Sequence, residues 1–183
     1  AEDHATWVEV PDLSRIMCGL SRPTHFRGVC TVVLKLFMIT QADVAVFGQK
    51  DWQQQAIIRR MVRDMNIPVR IETQPTMREA DGLAMSSRNV YMTEAERAQA
   101  PQMRQGLELA RRLAQAGETS AARLRDAVLR YWAEQLPLGR LDYLSVVDAD
   151  TLEPLDSLNG RGLMACAVHM GKSRIIDNIL LQD

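Results

Sequence analysis

At 183 residues, 46% of them hydrophobic, the chain can bury a core as one domain or as two small ones. Its 22 Lys and Arg balance 23 Asp and Glu to a formal net charge of -1. This excludes a nucleic-acid binder that works by bulk basic charge, and also an acidic disordered tail. No apolar run reaches membrane-spanning length and no charged-then-apolar segment opens the chain, so a cytoplasmic protein with no membrane partner is expected.

Residues 1–6 show neither a helical nor a strand period and read as an internal stretch of a larger protein. Trp7 to Val10 alternates like a short strand, ended by Pro11. Val29, Val32, Val33, Leu36 and Phe37 fall at helical spacing and predict a helix over roughly Arg27 to Thr40. Val44 to Phe47 is a short apolar run bounded by Asp43 and Gly48, which predicts a strand buried on both faces. A helix follows from about Trp52 to Met65, with Ile57, Ile58, Met61 and Met65 on one side, stopped by Asn66 and Pro68. Val69 to Thr73 is the next strand. Strand, helix, strand within some thirty residues is a βαβ unit, so the two strands are expected to be parallel.

Pro75 marks a change of character. Asp81-Gly82 is a turn signal, and Thr93 with Glu96 forms a capping box that opens a helix. Pro101 suits the first turn of a new helix, which Gly117 closes after about Ala116. A further helix spans roughly Ser120 to Gln135. The remainder reads as strands, Tyr143 to Val147, Leu163 to His169 and Ser173 to Ile179, with turns at Asn159-Gly160 and Met170-Gly171. Helices followed by short strands predict an α+β second domain. The expected division is therefore residues 1–76 as an α/β domain and residues 77–183 as an α+β domain.

The cysteines, Cys18, Cys30 and Cys166, are odd in number, widely spaced and without a CxxC pair. They read as buried thiols of a reducing compartment and not as a disulfide framework or a zinc site. The histidines, His4, His25 and His169, have no metal-ligand spacing. Lysine occurs only at positions 35, 50 and 172, so Lys50 inside a glycine-bearing turn stands out.

That turn, Phe47-Gly48-Gln49-Lys50-Asp51, lies just past a strand and just before a helix. Ligands of open α/β sheets bind outside the carboxyl ends of the strands, and a helix start suits an anion. Gly48 admits close backbone approach and Lys50 can reach a phosphate, while Asp51 also reads as an ordinary helix N-cap. Met85-Ser86-Ser87-Arg88 offers two hydroxyls beside a guanidinium, a phosphate-binding set that alone also reads as a surface turn. Of Gln53, Gln54 and Gln55, one faces the strand ends and can bind a small polar substrate, and the others are expected in solvent. Met77 can line an adenine pocket or sit in a core. The loop Ser21 to Gly28 around His25 is expected to pack, with some contact to substrate.

SRPTHFRGV (Ser21 to Val29), FGQKDWQQ (Phe47 to Gln54) and ADGLAMSSRN (Ala80 to Asn89), in this order and at this spacing, resemble the pantoate–β-alanine ligase family. Tyr143 to Asp150 and Arg174 to Asn178 resemble the C-terminal end of that family, so the likeness covers essentially the whole chain.

The resemblance implies the C-terminal half of a nucleotidyltransferase-type Rossmann domain that binds ATP and pantoate, followed by a small α+β lid domain. It further implies a ligase that joins pantoate to β-alanine through a pantoyl adenylate, using ATP with Mg2+, and a homodimer in the full-length protein. By motif, Gly48 and Asp51 would lie at the ribose, with Gln49 in the same ATP loop. Lys50 would meet the phosphates, Gln54 would bind pantoate and Met77 would lie at the adenine. Met85, Ser86, Ser87 and Arg88 would match the family's counterpart of the KMSKS loop. Catalytic roles are implied for Lys50, Ser86, Ser87 and Arg88. The family's HIGH-like histidine motif has no counterpart here, so the chain is expected to hold half an active site, to be inactive alone, and to leave an open sheet edge. A non-catalytic nucleotide-binding module and an adenylyltransferase acting on another small acid are the alternatives.

Overall fold

The computed structural model describes residues 3–182, and the chain divides into two compact units between Pro75 and Thr76. In the first, two short helices, α1 (Pro11–Ser14) and α2 (Cys18–Ser21), precede the long α3 (His25–Thr40). Strand β1 (Val44–Gly48) then leads through a 3-10 turn at Gln49–Asp51 into α4 (Trp52–Asp64), and β2 (Arg70–Gln74) follows. β1 and β2 pair in parallel, Val44 opposite Arg70 through Gly48 opposite Gln74, as the βαβ pattern requires. Gln41 closes α3 in the left-handed region, its N–H bonded to the Phe37 carbonyl. Asn66, two residues past α4, is also left-handed, with Ile67 N bonded to the Val62 carbonyl at 3.0 Å. Phe26, Cys30, Phe37, Ile57, Ile58, Met61 and Ile71 form the core of this unit.

Three expectations for this unit need correction. Trp7 to Val10 is not a strand. Its backbone lies along α3, with Val8 N donating to Thr31 Oγ1 at 3.0 Å and the Arg27 guanidinium 4.9 Å from the centre of the Trp7 ring. Alternation over four residues cannot make a strand where, among the described residues, no neighbouring strand takes up the backbone groups. β1 is not buried on both faces either, since Val46 is 58% exposed and the strand alternates exposed and half-buried. Among the described residues its sheet has two strands, too few to enclose it. Finally, the helix expected from Arg27 already begins at His25, so His25 to Gly28 are helical and not loop.

In the second unit a hairpin turns at Asp81-Gly82, with Arg78 bridged to Ala84 and Gly82 at φ +91°, a conformation that favours glycine. A 3-10 turn, Asn89–Tyr91, is followed by α5 (Glu94–Gln99), α6 (Pro101–Gln115) and α7 (Ala121–Gln135). The capping box forms as expected, with Glu96 N on Thr93 Oγ1 at 3.3 Å and Thr93 N on Glu96 Oε2 at 2.8 Å. Pro101 opens α6.

Three antiparallel strands complete the unit: β3 (Gly139–Asp148), β4 (Gly162–Met170) and β5 (Ser173–Leu180), in that spatial order. β3 starts earlier than its alternation predicts because the register shifts between Leu141 and Tyr143, which makes Asp142 an additional residue that interrupts the period. α6 and α7 close on the sheet over Met103, Leu107, Leu124, Val128, Trp132 and Met164. Gly106 lets the Trp132 indole reach the α6 backbone, since a Cβ there would lie 2.2 Å from Nε1.

Candidate functional site

In the first unit the Gly48 turn stands where β1 delivers the chain to α4. Gly48 has an ordinary extended conformation, φ -73° and ψ 135°, so torsion alone does not demand glycine. Open space surrounds it instead, with nothing within 4 Å of where a Cβ would stand. Lys50 and Gln49 are half-buried and Asp51 is exposed. Asp51 takes the N-cap position of α4 without a side-chain capping bond, because the 3-10 turn intervenes. Its ordinary capping role is therefore not the one it performs.

The three glutamines separate clearly. Gln53 is buried and accepts from Cys18 N at 3.1 Å, while its Nε2 donates to the Leu13 and Ile16 carbonyls at 2.9 and 2.8 Å. Gln55 is buried, donates to the Phe47 carbonyl at 2.9 Å and accepts from Thr73 Oγ1, also at 2.9 Å. The expectation that the two accompanying glutamines are solvated is thus corrected: burial forces their amides onto backbone and strand partners. Gln54 is half-buried, and among the described residues its amide has no hydrogen-bond partner. His25 packs its ring against Phe26, centroids 5.0 Å apart.

In the second unit the hairpin carries the other predicted residues. Met85 N donates to the Met77 carbonyl at 2.9 Å, so these two methionines sit side by side at the hairpin mouth. Met77 is 71% and Met85 54% exposed, which excludes the core alternative for Met77 within its unit. The next residues make a tight turn: Arg88 N donates to Ser86 Oγ at 3.2 Å and Asn89 N to the Ser86 carbonyl at 3.0 Å. Ser87 and Arg88 are exposed, and among the described residues neither side chain has a hydrogen-bond or ionic partner. Ser86, Ser87 and Arg88 thus come together on one turn with donor groups available to a ligand.

The backbone behind that turn is held tightly. Arg78 makes a two-pronged ion pair with Asp177 of β5, at 2.7 and 2.9 Å, and also donates to the Gly82 carbonyl at 3.0 Å. Ser173 Oγ donates to the Arg88 carbonyl at 2.7 Å. Asn89 Nδ2 donates to Glu79 Oε1 at 2.6 Å and to the Ala84 carbonyl at 3.2 Å. Arg97 spans Glu79 and Asp81, each at 2.6 Å. The Asn89 hydrogen bond, followed by Arg97, holds the Glu79 carboxyl below the usual carboxylate range. Arg97 does the same for Asp81. The sequence did not mark these supports, because Arg78 and Asp177 lie 99 residues apart. The one local hint was Asn89 directly after the Ser-Ser-Arg run.

A glycine-bearing turn at a strand's carboxyl end in the first unit, and a clamped donor-rich hairpin in the second, belong to an α/β class of protein. Sequence comparison makes this specific. The family model described as Pantoate-beta-alanine ligase matches residues 1–180, and the chain belongs to that family. Pantothenate synthetase of Desulfovibrio desulfuricans is 75% identical over 98% of this chain and 64% of its own length. That of Nitratidesulfovibrio vulgaris is 61% identical over the same shares, 98% and 64%. Among solved structures, the Thermus thermophilus pantothenate synthetase superposes with a TM-score of 0.95 at 39% identity, covering 100% of this chain and 66% of that one. The Francisella tularensis pantoate-beta-alanine ligase, complexed with beta-gamma ATP and beta-alanine, gives a TM-score of 0.70 at 29% identity over 97% of this chain and 59% of that one. The chain therefore spans about 64% of the curated relatives' length.

Proposed function

We propose that the chain carries the ATP-phosphate-binding residues of a ligase that condenses pantoate with β-alanine to pantothenate. In this reaction the pantoate carboxylate attacks the α-phosphorus of ATP and pyrophosphate leaves. The β-alanine amine then attacks the pantoyl carbonyl, releases AMP and gives up a proton. The observation that carries the reading is the Ser86–Arg88 turn, whose backbone is clamped while the Ser87 and Arg88 side chains remain available. Transfer at phosphorus requires positioning and charge neutralisation more than covalent participation, and a rigid turn of donors supplies both.

Lys50 is assigned to the phosphates, with the amides at the start of α4 adding positive potential. The open space at Gly48 suits a ribose, with Gln49 and Asp51 beside it. Met77 and Met85 offer apolar surface and a backbone edge to the adenine. Gln54 is assigned to pantoate, because its amide alone of the three is not engaged by the protein. Residues up to 76 act as the ATP- and pantoate-binding domain and residues 77–183 as the lid. Mg2+ would arrive as the ATP complex, coordinated by phosphate oxygens. Among the described residues there is no group of three His, Cys, Asp or Glu able to hold a metal, and the donors that fit are the nucleotide's own.

The cytoplasm is the proposed compartment, on the grounds that the three cysteines are buried thiols. Among the described residues no helix is long and apolar enough to cross a membrane. A homodimer is proposed for the full-length protein, on the strength of the family resemblance alone.

The test is pantoate-dependent exchange of labelled pyrophosphate into ATP by the native gene product. Lys50→Ala or Arg88→Ala should lower exchange by about a hundredfold, the usual effect of losing one such donor. Equal exchange with unrelated acids would indicate an adenylyltransferase of different substrate, and ATP binding without exchange under any acid would indicate a binding module.

A further inference from the structure

We propose that Asn89 is a positioning residue, which holds the Ser86–Arg88 turn in its ligand-binding shape by tying the exit of the turn to its entry. The proposal rests on the reading of that turn as a phosphate site. Asn89 is 9% exposed, and its Nδ2 bonds both to the Ala84 carbonyl, just before the turn, and to Glu79 on the opposite limb of the hairpin. One amide group therefore links three points of the chain within a single ring. Glu79 is fixed in turn by Arg97, which also holds Asp81. On the far side, Ser173 grips the Arg88 carbonyl and Arg78 anchors the hairpin to Asp177.

The other amide atom points to the same role. Asn89 Oδ1 is buried with no hydrogen-bond partner among the described residues, which opposes stability. A side chain serving only to fill this space would do better without that oxygen. The Nδ2 donors explain its presence, because no apolar residue could bridge Ala84 to Glu79. Ser86 completes the arrangement: its Oγ accepts from Arg88 N, and its own hydrogen is free to rotate toward a ligand.

Hydrogen exchange of the backbone amides from Met85 to Asn89 in the native gene product reads the proposal directly, with ATP affinity measured in parallel by calorimetry. Asn89→Ala should reduce protection of the Arg88 and Met85 amides at least tenfold and weaken ATP binding at least tenfold, while the β4 amides keep their protection. Asn89→Asp preserves the shape but sets a second carboxylate against Glu79, with Arg97 and Asp81 as the neighbouring charges. Its turn should be open at pH 8 and regain protection near pH 5, where two facing carboxylates share a proton. Loss of β4 protection in Asn89→Ala would mark general unfolding, and the pH response of Asn89→Asp then decides. Unchanged protection at Arg88 in Asn89→Ala, or an opening in Asn89→Asp that ignores pH, would overturn the proposal. A native gene product that binds no ATP before any substitution would instead refute the phosphate reading, while the exchange result would still judge Asn89.

Discussion

Three adjacent glutamines show how finely position sorts identical side chains. α4 turns Gln53 and Gln55 inward, where burial obliges each amide to find partners, and Gln53 finds three, on Cys18, Leu13 and Ile16. Gln54, half-buried between them, has no hydrogen-bond partner among the described residues, in keeping with the substrate role proposed for it. Replacing Gln53 with Ala should therefore lower stability by about 2–4 kcal/mol, since it orphans buried backbone groups. Gln54→Ala should shift stability by less than about 0.5 kcal/mol, as surface changes do. Urea denaturation of the two variants checks this, and equal losses would contradict the division of roles. The amide run was visible in the sequence. Which amide was available was not, because that depends on Cys18 and Leu13, which reach α4 only after folding.

At the scale of elements, the hairpin and β5 form one mechanical unit through Arg78 and Asp177. The Asp177 side chain is 1% exposed, so removal of its partner leaves a charge in the interior. Arg78→Ala should lower stability by about 3–5 kcal/mol, read from the urea midpoint. A loss below about 1 kcal/mol would show that the pair is not what fixes the hairpin.

The Arg97 cluster makes a pH prediction. Glu79 and Asp81 have folded pKa values below their unfolded ones, so the unfolded chain binds more protons in the window between them. Their stabilisation is complete above the unfolded carboxylate range, about pH 4, and is lost as pH falls through the depressed folded values. Arg97→Ala removes the leading cause at Asp81 and the second at Glu79. Its urea midpoint should therefore fall less steeply between about pH 5 and pH 3 than that of the unaltered chain, and identical slopes would contradict the assignment. The sequence disclosed the capping box at Thr93 and the turn at Gly82, both of which act within a few residues. It hid the long-range supports, just as the extra residue at Asp142 hid the start of β3.

For the whole molecule, the parallel β1–β2 pair and the antiparallel β3–β4–β5 sheet were legible from period and turn chemistry. Two of the failures share one cause. Trp7 to Val10 and the faces of β1 were judged from local hydrophobicity, whereas strand pairing and burial are set by neighbours. The functional assignment likewise gained its force from several short motifs at fixed spacing, none of which decides the matter alone.

Its central claim is that Lys50 and the Ser86–Arg88 turn bind the phosphates of ATP. Calorimetric titration of the native gene product with ATP, beside Lys50→Ala and Arg88→Ala variants of unchanged thermal stability, tests it most directly. Measurable binding is predicted, weakened at least tenfold by either substitution, which corresponds to about 1.4 kcal/mol. No binding by the unaltered gene product, or equal affinity in both variants, would contradict it.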